Sequence, residues 1–371
     1  MFTTIITFVA VLSLLVFVHE FGHFITAKKS GIRVDEFGFG FPPRIFGIKR
    51  GGTVYSVNWI PLGGFVRIKG EGGEHGNDKD SFANKSGWVR LLVLTAGVVM
   101  NVVLAWFLFS VGYVVGMPQV VEDLPQFARV TQGQTQVLDV MKGSPAELAG
   151  MKTGDALLTV DGQPVTSVEG VRSYTQSHEG QSIRVTFKQN DQTLTKDVTP
   201  VRLAGAEQAA MGVALVRTGM VSYPIWYAPV QGAVATWVMG REIVLSFGSL
   251  IRDLFVKHAV TVDLSGPIGI AVITSEVAAR GFRYLIQFTA LLSLNLAVIN
   301  ILPFPALDGG RVLFLAIERA RGRAVSRNIE NLAHNVGFAL LMLVVIFVTI
   351  GDFRKFSGGM LQGLSRFFTG G

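Results

Sequence analysis

The sequence predicts a multi-pass α-helical membrane protein with a small soluble unit inserted between its helices. Three observations carry that prediction. Hydrophobic residues make up 49% of the 371 and charged residues only 16%, an apolar balance for a soluble chain. The apolar residues gather in runs long enough to cross a bilayer. A polar stretch with short β-type runs separates the second apolar run from the third.

The first run, Phe2 to Ala27 (2–27), is apolar apart from Ser/Thr and a His-Glu-Phe-Gly-His cluster. As a helix it spans about 39 Å at about 1.5 Å per residue, enough to cross. No positive charge precedes it and no small-residue cleavage site ends it, so it reads as a span rather than a cleaved signal. Val89 to Met117 (89–117) is the second span, interrupted only by Asn101. Arg283 to Phe304 (283–304) is the third. Val336 to Ile350, extended to about 335–352, is the fourth. The organisation expected is a membrane part at 1–118, a soluble unit at 119–220, a connecting segment at 221–282 and a second membrane part at 283–371.

Charge orients the spans. Residues 28–90 hold 11 Lys/Arg against 6 Asp/Glu, and residues 311–335 hold 5 against 2, so both loops read as cytoplasmic. Residues 117–225 hold 9 against 11, which suits an extracytoplasmic unit. Trp226 to Phe255 is apolar but interrupted by Arg241, Glu242, Arg252 and Asp253, and its apolar residues have helical spacing. It reads as an interfacial helix. The alternative, a fifth span, would reverse the third helix and carry Asp308 to the opposite face.

Within the soluble unit, Gln136–Val140, Ala156–Val160 and Ile183–Phe187 read as strands and Val168–Ser177 as a short helix, a small α/β or β-sandwich module. After the first span, Thr53–Asn58 and Gly64–Lys69 read as strands of a hairpin (about 50–70). Such a hairpin either sits in the cytoplasm or dips toward the membrane, where it would add a strand to an unwound peptide.

The formal net charge of +7 lacks any arginine-rich aromatic stretch, so no nucleic-acid partner is expected. There is no cysteine, so a metal would be held by imidazole and carboxylate. His19-Glu20-Phe21-Gly22-His23 supplies the imidazoles: on a helix, residues i and i+4 share a face, and Glu20 lies beside a water on the metal. Ionisable side chains inside a span are expensive and usually functional. A hydrolytic zinc site needs a third protein ligand. Asp308 is the candidate, because Pro303 and Pro305 unwind the chain before it and Gly309 and Gly310 permit a tight turn that aims its carboxylate inward. Glu20 is the expected catalytic base. Asn295 and Asn300, polar positions in the third span, either hydrogen-bond the substrate and its oxyanion or serve as contacts between helices. His75, His178, His258 and His334 fall outside the spans and are expected at the surface.

These residues together resemble the site-2 proteases, bacterial zinc enzymes of regulated intramembrane proteolysis of the regulator-of-sigma-E protease type. The resemblance rests on His19–His23, the Asn300-to-Asp308 segment NILPFPALD, Glu36–Gly40 and Gly266-Pro267-Ile268-Gly269, and covers nearly the whole chain. It implies zinc held by His19, His23 and Asp308, Glu20 as base, and a substrate role for Asn295 and Asn300. Residues 119–220 are similar to a single PDZ domain, most recognisably at Gly143–Asp155; some family members carry two in tandem, and this chain has room for one. Substrates implied are single-pass membrane proteins such as anti-sigma factors, and remnant signal peptides. The PDZ domain would meet a ligand peptide or a trimmed substrate end. The chain is expected as a monomer among the lipids of a bacterial inner membrane, cutting toward the cytoplasmic side. A rival reading is a non-catalytic PDZ-bearing adaptor with a structural metal.

Overall fold

A computed structural model describes residues 2–122, 124–189, 192–203, 208–256, 265–323 and 325–369. The chain divides into two compact units, Met1–Val111 with Pro229–Gly371, and Gly112–Ala228.

The first unit opens with α1 (Phe2–Lys29), which runs uninterrupted through the His-Glu-Phe-Gly-His cluster. It is followed by β1 (Val34–Arg50) and β2 (Thr53–Ile68), then by α2 (Gly87–Val115). Residues 53–58 and 64–68 of β2 do not pair with each other, as a simple hairpin would require. Residues 34–39 lie between them, with Gly38 opposite both Ser56 and Phe65, and 44–50 cover the far side of 53–58. The run 64–68 is therefore an edge, with no second neighbouring strand among the described residues. This small sheet returns alongside α1. The Ser13 hydroxyl donates to the Pro61 carbonyl at 2.5 Å, and Phe37 stacks on Phe24 at 4.7 Å and meets Phe17 at 5.4 Å. From Lys29 back to Ser13 is about 24 Å of helix. The far part of the sheet exposes Phe41, Ile45, Phe46, Trp59 and Ile60, side chains suited to a non-aqueous surrounding.

The second unit contains β3 (Met117–Val120), β4 (Arg129–Val140), α3 (Pro145–Leu148), β5 (Ala156–Val160), β6 (Gln163–Pro164), α4 (Val168–Ser177), β7 (Ile183–Gln189), β8 (Gln192–Val198), β9 (Val201–Arg202), β10 (Ala209–Ala210) and β11 (Val213–Ser222). Its main sheet has the order β3-β11-β4-β5-β7-β8, with β6 on β5. The three expected strands and the helix are present, and α4 starts where Ser167 accepts a hydrogen bond from the Gly170 N–H. Val137, Leu157, Val171, Ile183, Val185 and Phe187 form the core. At the β5–β6 turn the Asp161 carboxylate accepts from the Arg184 amide at 2.7 Å and the Tyr174 hydroxyl at 2.9 Å, and those bonds hold its pKa below the ordinary carboxylate value.

The first unit resumes with α5 (Ala228–Val256), α6 (Pro267–Arg280), α7 (Phe282–Ile301), α8 (Asp308–Arg321) and α9 (Arg327–Thr369). Among the described residues five helices, one more than the four spans expected, are long and apolar enough to cross a membrane: Thr4–Lys29, Gly87–Val115, Ala228–Asp253, Phe282–Ile301 and Arg327–Lys355. The additional one is the segment expected at the interface. Its charges lie within a continuous helix, where Arg241 pairs with Glu242 at 3.0 Å and Arg252 with Asp253 at 3.5 Å. The third expected span stops at Ile301, three residues early, because Leu302 adopts an extended ψ of 139° ahead of Pro303. The Gly-Pro-Ile-Gly motif starts α6 against α9, where the buried Asp352 carboxylate accepts the Gly269 N–H at 2.7 Å. The Thr4 and Ser275 hydroxyls lie 2.8 Å apart and tie α6 to the start of α1.

Candidate metal centre

His19 and His23 project from one face of α1 with ring centroids 4.8 Å apart, as the four-residue spacing requires. Their Nε2 atoms face each other at 3.2 Å. Asp308, the first residue of α8, brings Oδ2 to 3.0 Å from His19 Nε2 and 3.4 Å from His23 Nε2. Both histidines are buried and the Asp308 side chain is 22% exposed. Thus Asp308, 285 residues away along the chain from His23, lies within reach of both histidines.

The loop that delivers Asp308 is set by packing as much as by its prolines. Ala306 takes a positive φ of 79° and gives its N–H to His334 Nδ1 at 2.9 Å. His334, expected at the surface, instead clamps this loop from α9 and packs on Phe314. His258 lies outside the described residues, and His75 is exposed. Gly309 and Gly310 do not form the tight turn anticipated. Both are helical in α8, and a Cβ on either would overlap the carbonyls of residues 301–304, so glycine serves close packing here.

Helix α2 lies directly behind the histidines. Val93, Gly97 and Asn101 recur every four residues and so form one stripe. The Val93 carbonyl accepts the Nδ1–H of His23 at 2.7 Å. At Gly97 a Cβ would stand 2.6 Å from His19 Cε1 and 2.7 Å from its Nε2, so no side chain fits there. The Asn101 carboxamide lies 3.3 Å from His19 Nδ1. Gly22 makes the reciprocal approach, with its Cα against the Ala96 backbone. None of the α2 contacts was legible beforehand except Asn101, noted only as a break in an apolar run.

Glu20 is half-buried, and its Oε2 accepts the Val66 N–H of the sheet edge at 3.1 Å. Asn295 donates to the Leu291 carbonyl one turn back in α7 at 2.9 Å. Asn300 is half-buried in the last turn of α7, with no side-chain hydrogen bond among the described residues. The Arg311 side chain pairs with Glu71 from the loop after β2.

The donor set fits a zinc ion. His23 must place its proton on Nδ1, facing Val93, which leaves the Nε2 lone pair pointing at the other two donors. Asp308 Oδ2 is buried and has no hydrogen-bond partner among the described residues. With a lone pair on each, the three atoms would repel one another unless a metal ion or a shared proton lay between them. Donors at tetrahedral corners about 2.05 Å from a zinc ion lie about 3.3 Å apart, and the separations here are 3.0, 3.2 and 3.4 Å.

The family description Peptidase family M50 matches residues 7–344. Zinc metalloprotease RasP of Geobacillus kaustophilus is 33% identical, with 95% of this chain and 98% of that protein aligned. Regulator of sigma-W protease RasP of Bacillus subtilis is 29% identical, over 95% and 98%. Among solved structures, the PDZ domain of an SdrC-like protein from Listeria monocytogenes matches 24% of this chain and 92% of its own length at 22% identity, with a TM-score of 0.22.

Proposed function

The chain belongs to peptidase family M50 and is a zinc metalloprotease of the site-2, intramembrane type, and from that premise we propose that His19, His23 and Asp308 hold the zinc and that Glu20 is the catalytic base. The observation that carries the assignment is the convergence of the three lone-pair donors within 3.4 Å of one another. Zinc supplies Lewis acidity at such a site, making water acidic and a carbonyl electrophilic. Glu20 takes the proton of the attacking water and returns it to the departing amine. Its bond to the Val66 N–H keeps the carboxylate aimed beside the histidines. Asn300, unpartnered at the end of α7, is free to donate to the substrate backbone or the oxyanion, and Asn295 lies more than a turn earlier on the same helix.

A transmembrane helix hides its peptide bonds, so the substrate must unwind before attack. The edge 64–68 beside Glu20 offers unpaired strand positions on which an unwound segment would pair. The substrates proposed are single-pass membrane proteins, including anti-sigma factors and remnant signal peptides. The β-rich unit, read as a PDZ domain outside the cytoplasm, would admit a trimmed end and screen out intact ectodomains.

The chain is a multi-pass inner-membrane protein, and we take α5 as embedded alongside it without a net crossing. Two contacts support that reading. Asp308, after α7, meets histidines near the C-terminal end of α1, and α6 touches the N-terminal end of α1 through Ser275 and Thr4. A complete crossing by α5 alone would put α6 at the wrong end. Four net crossings keep the metal centre toward the cytoplasm.

The test is cleavage of a single-span substrate in detergent or bilayer by the wild type and Glu20→Gln, with zinc measured in both. Zinc retained with activity reduced at least about 100-fold is expected. Equal cleavage would remove Glu20 as base, and zinc bound with no cleavage by either protein would favour the adaptor reading. Asp308→Ala should lower zinc content; unchanged metal would remove it from the ligand set.

A further inference from the structure

The two histidines meet α2 through different partners. The one facing His23 Nδ1 is a backbone carbonyl, which can only accept, so its tautomer is settled. The one facing His19 Nδ1 is a carboxamide, which presents a donor at one end and an acceptor at the other. With Nδ2 at 3.3 Å from Nδ1, the amide would donate, and a neutral His19 would then carry its proton on Nε2. That is the atom 3.0 Å from Asp308 and 3.2 Å from His23 Nε2, and protonated it cannot hold a metal. Meanwhile Asn101 Oδ1 is buried and has no hydrogen-bond partner among the described residues, although the residue is 0% exposed. Turning the carboxamide by 180° exchanges its two ends, gives Oδ1 the Nδ1–H and frees the His19 Nε2 lone pair.

We propose that Asn101 is a positioning residue for the metal centre: its Oδ1 accepts the Nδ1–H of His19 and so holds Nε2 ready to bind zinc. This rests on His19 being a ligand. The residue is itself anchored, because the Ser293 hydroxyl of α7 donates to the Asn101 backbone carbonyl at 2.7 Å, both groups being buried. A polar side chain used only to join helices would have reached across to α7 with its carboxamide. Here the backbone makes that link, and the carboxamide is left facing the imidazole. Metal-bound histidines are generally oriented in this manner by an acceptor on the remote nitrogen, and loss of the acceptor weakens metal affinity about 10–100-fold.

The test uses the full chain purified in detergent, Zn2+ as the probe, and release to a chelator as the readout. Asn101→Leu, which keeps the shape and removes the acceptor, should weaken zinc binding about 10–100-fold. Asn101→Asp, which has an acceptor and no donor, should hold zinc within about threefold of the wild type or more tightly. A donor role predicts that both variants lose zinc, and a role in packing alone predicts that zinc is held while thermal stability falls. Either result would overturn the proposal. If Asn101→Leu fails to fold, Asn101→Asp decides alone: zinc retained at undiminished thermal stability supports the acceptor, and zinc lost, or zinc held with thermal stability lowered, defeats it. A wild-type chain unable to bind zinc would instead defeat the ligand assignment itself, which makes the two failures distinguishable.

Discussion

At the residue scale, the centre depends on a side chain that is missing as much as on those present. Gly97 sits where a Cβ would overlap His23 and press on His19, so Gly97→Ala should displace the imidazoles by a few tenths of an ångström or more. We expect zinc content and cleavage both to fall at least about tenfold while the helices persist. Zinc analysis beside a far-ultraviolet circular dichroism spectrum checks this, and full zinc occupancy would show that α2 can retreat. His334 makes a related point. Its spacing resembles nothing catalytic, yet it holds the strained Ala306 two residues before Asp308. Residues of this kind escape a sequence reading because their significance is a contact with a distant segment.

At the element scale, α6 is fastened at two places, by Asp352 at its start and by Ser275 further along. A carboxylate at a helix N-terminus satisfies a backbone N–H and complements the helix dipole. Asp352→Leu removes both effects and leaves a buried amide unpaired, at a cost of about 1–3 kcal/mol. The expected result is a lower unfolding temperature in detergent with zinc content unchanged, since Asp352 touches none of the proposed ligands. Loss of zinc as well would indicate that α6 transmits to α1. The Gly-Pro-Ile-Gly motif, legible only through the family resemblance, thereby acquires a physical reason. The apolar runs of α1, α2, α7 and α9 were legible directly, because length and hydropathy suffice for a membrane helix. The small sheet after α1 was legible as strands but not in its pairing, because 34–39 slips between two runs that look like neighbours in sequence.

At the scale of the whole molecule, the path of the chain across the membrane is checked by labelling. The protein has no cysteine, so single cysteines report accessibility without any background substitution. Thr193→Cys in β8 and Ser265→Cys before α6, both at exposed positions, should be labelled by an impermeant thiol reagent added outside the cytoplasmic membrane. Ser326→Cys, between α8 and α9, should react only after the membrane is opened. Labelling of Ser265→Cys from the cytoplasmic side alone would make α5 a complete span and reverse every later helix.

The sequence by itself determined the apolar runs of α1, α2, α7 and α9, three strands and one helix of the β-rich unit, and the histidine pair with its glutamate, because each is expressed in local periodicity or in spacing along one helix. It also nominated Asp308 through the charge bias of the flanking loops. Only the tertiary structure decided that Asp308 meets the histidines within 3.4 Å, that Gly97 and Asn101 stand behind them, and that Val66 holds Glu20. These are contacts between segments far apart in the chain. Their geometry is set by how closely α1, α2 and the small sheet pack, which no single segment encodes.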